Sequence, residues 1–153
     1  MPRLPIDYSK TIIYKICCKD INITDIYVGH TTDLTRRRRQ HKHSCNNENN
    51  KNYNMNVYQF IRNNGSWDNW SVIPIEEYPC ENVNQAHIRE RYWIEELKAS
   101  LNRCIPLRTH KEWCEYKNEK FTCECGGKYT YCHTSRHLKS KIHQDFLTQT
   151  IST

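Results

Sequence analysis

Apolar residues recur along this chain with periods that change from segment to segment. In residues 11–18, TIIYKICC, Ile12, Tyr14 and Ile16 share one parity among β-branched and aromatic neighbours, which predicts a strand. Asp20 and Asn22 then signal a turn, and residues 24–29, TDIYVG, read as a returning strand. The predicted hairpin ends at Gly29 and puts Tyr14 and Tyr27 on one small sheet. Thr32 or Asp33 can cap a helix over LTRRRRQHKH, where Leu34, Arg37 and His41 at i, i+3 and i+7 share a face. With Leu34 as apolar anchor, Arg37 and His41 turn toward the sheet, while Arg36, Arg38 and Arg39 fan outward.

Residues 46–56 are rich in asparagine and read as a mobile loop or insertion. NVYQFIRNNG predicts a short helix stopped at Gly65, and NWSVIPIEEY a third strand in which Pro74 marks an edge or a bulge. The long helix expected over Asn82–Leu101 gathers Val83, Ala86, Trp93, Leu97 and Leu101 into one stripe, with Glu90 in its middle. A carboxylate on a buried stripe must be paired, protonated or metal-bound. Glu95 lies well off the stripe and Glu96 on its far side.

Composition narrows the classes open to such a chain. Its 153 residues suit a domain of about 100 residues with a small appendage. The mean hydropathy is −0.94, and no apolar run approaches the roughly 18 residues of a membrane span. No secretory leader is evident, and an odd number of cysteines, nine, does not form a complete disulfide framework, so an intracellular, reducing compartment, cytoplasm or nucleus, is expected. The net charge of +6 divides evenly, with 15 Lys/Arg against 12 Asp/Glu in residues 1–106 and 8 against 5 in residues 107–153. That balance is compatible with phosphate binding without demanding it; the run Arg36–Arg39 is the sharper signal, though such runs also serve as solvated faces.

After Pro106 the chemistry of the residues changes. Cys123, Cys125, His137 and His143 offer four ligands in order, a zinc constellation. The hairpin-like FTCECGGKYT would carry the thiolates. A single helix over HTSRHLKSKIHQDFL would turn Leu138, Ile142 and Phe146 toward them. Five residues between the histidines fit zinc-finger spacing, but one residue between the cysteines is tight, which leaves Cys114, Cys132 and His133 as alternatives. Arg136, Lys139 and Lys141 on that helix are candidate phosphate contacts.

Taken in order, Ile12-Ile13-Tyr14, Tyr27-Val28-Gly29, Arg37 with His41, Glu90 and Leu101-Asn102 resemble the GIY-YIG nuclease superfamily over roughly residues 8–105. The resemblance implies an α+β fold, a three-stranded antiparallel sheet flanked by helices, in residues 1–106; residues 107–153 are expected to form a linker and a zinc-stapled ββα-like module, which resembles a variant of the finger with two cysteines and two histidines. By the same resemblance Glu90 binds a divalent ion, Mg2+ or Mn2+, and Tyr14 orients or deprotonates water. Tyr27 is its companion, Arg37 holds the scissile phosphate with His41 four residues on, and Asn102 closes the site. Gly29 lets the backbone pass close to substrate or to the helix start. Ile12 stands where the family has glycine and is expected to alter only packing. His30 follows Gly29 where many relatives have lysine; a lysine lowers a nearby tyrosine pKa more effectively than a histidine does, but His30 can itself accept a proton.

The expectation is therefore a metal-dependent endonuclease acting on DNA as a monomer or weak dimer, with no membrane partner, of a type found in homing and repair enzymes and encoded by viruses or mobile elements. The alternative is a non-catalytic nucleic-acid-binding module on the same scaffold.

Overall fold

The computed structural model describes residues 5–151, which form two compact units, one ending at Leu107 and the other beginning at Arg108. In the first, strands β1 (Ile12–Cys18), β2 (Ile26–Thr31) and β3 (Trp70–Glu77) make an antiparallel sheet in the order β2-β1-β3. Helices α1 (Leu34–Asn46) and α2 (Asn56–Asn63) connect β2 to β3, and α3 (Val83–Glu96) follows β3. This is the α+β arrangement expected, a three-stranded antiparallel sheet flanked by helices.

β1 is the central strand, and apolar clusters cover both of its faces. Tyr14 and Ile16 join Cys45, Val57, Tyr58, Ile61, Trp67 and Trp70 in one apolar cluster. Ile13, on the opposite parity, joins Val28, Ile94 and Ala99 in another. Sequence parity alone had marked only one face of this strand as apolar. β2 also runs farther than expected, through His30 and Thr31 paired with Ile13 and Ile12, so Gly29 sits inside the strand opposite Tyr14. Pro74 lies on edge strand β3 beside a register shift between Ile13 and Tyr14, as a residue without a backbone N–H requires.

The capping residue of α1 is Asp33, whose side chain accepts from the Arg36 amide. The asparagine-rich segment folds into a succession of turns. Asn47 and Asn50 side chains accept the amides of Asn49 and Asn52, and a run of turns joins Asn50, Tyr53 and Met55 to the residues three before them. The helix expected to reach Leu101 stops earlier. Lys98 takes a left-handed φ of 48°, its amide bonds to the Glu95 carbonyl, and the Ala99 amide bonds to that of Ile94. These paired bonds close the helix end as a glycine usually does. The chain then turns back to β2, where the Leu101 amide donates to Ile26. At the other end of α3, Val83 lies 36% exposed, and the buried stripe of the helix is Ala86, Glu90 and Ile94.

The second unit contains α4 (His110–Asn118), the short hairpin β4 (Lys120–Thr122) and β5 (Lys128–Thr130), then α5 (Thr134–Leu138) and α6 (Lys141–Ile151). Thr109 and Glu112 cap α4 reciprocally. The expected single C-terminal helix is broken at Lys139–Ser140, which destroys the i, i+4 relation between Leu138 and Ile142; both are exposed rather than turned to the thiolates. Among the described residues no helix is long and apolar enough to cross a membrane.

Candidate active site

Alternation along β2 sorts the site residues onto two faces. Tyr27 and Gly29 share the face of Tyr14, toward α1, whereas Val28 and His30 share that of Ile13, toward α3. Gly29 has a steric reason of its own: a Cβ there would stand 2.6 Å from Tyr14 Oη and 3.1 Å from Tyr27 Cε1. The close approach is thus made by the Tyr14 ring, a nearer neighbour than the substrate or helix start expected from sequence.

On the α1 side, Tyr14 Oη shares a 2.7 Å hydrogen bond with His41 Nε2, and His41 Nδ1 shares one of 2.9 Å with Tyr58 Oη. The His41 ring also meets Tyr27 edge-on at 5.7 Å and lies parallel to Trp67 at 6.3 Å. Burial, assisted by the Arg37 charge, pushes His41 down to about 4. The imidazole is therefore neutral at pH 7, donating through one nitrogen and accepting through the other. Burial also raises Tyr14 and Tyr27 well above the usual phenol range, with the Arg37 charge opposing this only partly. The Arg37 charge therefore does not make Tyr14 the acidic phenol that a general base at neutral pH would need.

Arg37 is half-buried on the same helix face as His41, while Arg36, Arg38 and Arg39 are exposed. Its Nη1 reaches Gln40 at 3.4 Å, and its Nε is buried with no hydrogen-bond partner among the described residues. A buried donor left unsatisfied costs about 1–3 kcal/mol, which an anion's oxygen would recover. Arg37, His41 and Tyr58 line a cavity of ≈ 310 Å³ together with Asn50 and Asn52 of the asparagine-rich segment.

On the α3 side, Glu90 is 8% exposed and contacts His30 Nδ1 directly, so its partner is a histidine. His87, one turn before Glu90, completes a group whose ligand atoms all lie within 4.8 Å of one another. Tyr27, His87, Glu90 and Asn102 line a cavity of ≈ 710 Å³ along the β2 edge. Glu95 and Glu96 are exposed.

Asn102 acts on the backbone. Its Oδ1 accepts from the Val28 amide and its Nδ2 donates to the Val28 carbonyl, both at 2.8 Å. The side chain thereby supplies edge strand β2 with the pairing of an absent neighbour and holds the segment bearing Tyr27, Gly29 and His30.

Two members of these clusters, His87 and Tyr58, escaped the sequence reading. His87 could have been found at i−3 from Glu90, a spacing that shares a helix face. Tyr58 carries no signal beyond its place on an apolar helix face.

In the second unit Cys123, Cys125, His137 and His143 bring four ligand atoms within 4.8 Å. Cys123 Sγ lies 3.4 Å from His143 Nδ1 and Cys125 Sγ 3.5 Å from His137 Nε2. The tight cysteine spacing is accommodated in the β4–β5 turn, where the Cys123 amide donates to the Gly127 carbonyl and Gly126 adopts a φ of +78°. The alternatives are engaged elsewhere: Cys114 with His110, Cys132 with the Lys117 carbonyl and His133 with Thr130. Arg136, Lys139 and Lys141 are exposed.

Comparison with curated proteins and with solved structures finds no match. The family model of the GIY-YIG catalytic domain matches residues 10–103, which include every residue of the two clusters around Tyr14 and Glu90. With the match extending over well over half of the chain, this protein belongs to the GIY-YIG family, and its first unit is a nuclease domain whose substrate is a nucleic acid.

Proposed function

We propose that the protein is a divalent-metal-dependent endonuclease that hydrolyses phosphodiester bonds in DNA, the second unit being a zinc-stapled module that adds affinity for the backbone. The observation that carries this reading is the convergence, around β2, of a buried carboxylate with two imidazoles and of a tyrosine bonded to a neutral histidine beside an unsatisfied arginine.

The donor set around Glu90 fits a dication, which when bound supplies charge stabilisation to a phosphoryl group in transfer. The remaining roles belong to side chains. Arg37 holds the scissile phosphate, its buried Nε gaining the acceptor it lacks, and its fixed charge opposes that developing on the non-bridging oxygens. Tyr14 keeps its proton at pH 7 because burial favours the neutral phenol. It therefore serves first to orient the attacking water. When that water gives a proton to Tyr14 Oη, the phenolic proton passes to His41 Nε2, so the histidine is the acceptor of a two-step relay. In that protonation state His41 donates to Tyr58 through Nδ1. Tyr27 walls the cavity beside Glu90, and Asn102 fixes β2.

The exposed arginines of α1 and the basic residues Arg136, Lys139 and Lys141 are suited to phosphate contacts that position without specifying sequence. Cys123, Cys125, His137 and His143 form a donor set suited to tetrahedral zinc.

Supercoiled plasmid incubated with the full chain and Mg2+ or Mn2+ is expected to convert to nicked and linear forms, and EDTA to prevent it. Folded, metal-supplied protein that leaves both plasmid and branched DNA intact would refute the reading.

A further inference from the structure

Resting on the nuclease reading, and going beyond its single carboxylate, we propose that His30, His87 and Glu90 together form a metal site of two imidazoles and one carboxylate, which takes a first-row transition-metal dication in preference to Mg2+. The three come from two elements locked together by the apolar cluster of Ile13, Val28 and Ile94. β2 turns His30 toward α3 by its parity, and α3 presents His87 and Glu90 one turn apart. Their ligand atoms lie within 4.8 Å of one another, and the two imidazole rings stand edge to face at 5.1 Å.

An ion pair between His30 and Glu90 would by itself account for a buried carboxylate. It leaves His87 without a role. Among the described residues His87 makes no hydrogen bond or ion pair, and its ring contact is with His30. It is half-buried and, with Glu90, lines the cavity that also holds Tyr27. A half-buried polar ring that faces this cavity without a polar partner, and that stands with two other donors, has the placement of a ligand.

The donor types decide which metal. Mg2+ demands oxygen ligands in near-ideal octahedral geometry and dehydrates reluctantly. Imidazole nitrogen suits iron, nickel, copper and zinc far better, with Mn2+ the weakest binder of that series, and two histidines with one carboxylate leave positions open for substrate. A buried site that offers two nitrogens for one carboxylate is therefore poorly matched to Mg2+ and well matched to its transition-metal competitors.

The test is Mn2+ binding to the full chain without DNA, after one equivalent of zinc has been added for the thiolates of the second unit to take. Electron paramagnetic resonance counts the bound Mn2+, and its pulsed form detects nitrogen-14 nuclei coupled to the ion. We expect one Mn2+ per chain with nitrogen coupling, no displacement by a tenfold excess of Mg2+, and binding weakened at least about tenfold in His87→Gln. Thermal melts verify that His87→Gln stays folded, and His30→Gln provides a second variant on the other element. Unchanged Mn2+ affinity in both histidine variants with no nitrogen coupling in wild type, while Glu90→Gln loses the ion, would overturn the site and leave the nuclease reading standing. Nitrogen-coupled Mn2+ on a chain that cleaves no nucleic acid would support the site and remove the nuclease reading instead.

Discussion

Ile13, Tyr14, Ile16, Val28 and Ile61 are at most 1% exposed in the first unit, whereas His143 is the only buried side chain among the described residues of the second. The first unit thus sets its functional groups on a scaffold already held by apolar packing on both faces of a sheet. The second has candidate ligands where a core would be. A unit of that size buries too little apolar surface to be robust alone, so a bound ion would be most of its folding free energy. Identical chemistry, histidine beside an acidic or thiol partner, is therefore expected to do different work in the two places: the first unit's fold places its histidines, while the second unit's histidines, once holding an ion, would make its fold.

The largest effect that sharpens this contrast is removal of zinc. A structural Cys2His2 site supplies on the order of 10 kcal/mol of apparent folding free energy at pH 7. Chelation, or Cys123→Ser, should leave residues beyond Arg108 open to limited proteolysis while the preceding unit resists. Equal protection of both units before and after chelation would break the contrast.

Acid provides the next test, read on the first unit alone, because metal held by the second unit's ligands would also be released as pH falls. His41 is held at about 4 when folded, against about 6.5 in an unfolded chain, so between these values the unfolded state binds more protons. The stabilisation is complete above pH 6.5, is lost as pH falls toward 4, and amounts to roughly 3 kcal/mol. Denaturant melts should show that slope in wild type and a flatter one in His41→Gln.

Packing comes third. Gly29→Ala drives a methyl into the Tyr14 hydroxyl and ring, expected to cost about 1–3 kcal/mol and to pull Tyr14 from His41. The melting temperature should fall and cleavage should fall with it. The smallest effect expected is that of Asn102→Ala, which leaves the Val28 amide and carbonyl without their partner and should cost about 1–2 kcal/mol in the same melts.

These residues also show how far the sequence could be read. Leu34, Arg37 and His41 were legible because helical spacing fixes a shared face, and Glu90 because a lone carboxylate interrupts an apolar stripe. The end of α3 was hidden because Lys98, not glycine, occupies the left-handed position, so no stop signal is written there. Asn102 was singled out by the family resemblance, but its pairing with the backbone of β2 was not legible, since its partner Val28 is 74 residues away. Cys123 and Cys125 looked too close together until the Gly126 turn supplied the bend. The break at Lys139–Ser140 carries neither proline nor glycine, and its hydrophobic spacing mimicked one continuous helix.

The most direct measurement is single-turnover cleavage of DNA by zinc-loaded wild type and Glu90→Gln, with DNA affinity and melting temperature determined on the same preparations. The account expects the rate to fall by about a thousandfold or more with affinity nearly unchanged, because the amide keeps the carboxylate's shape but not its charge. Cleavage retained by folded Glu90→Gln would contradict the account at its centre.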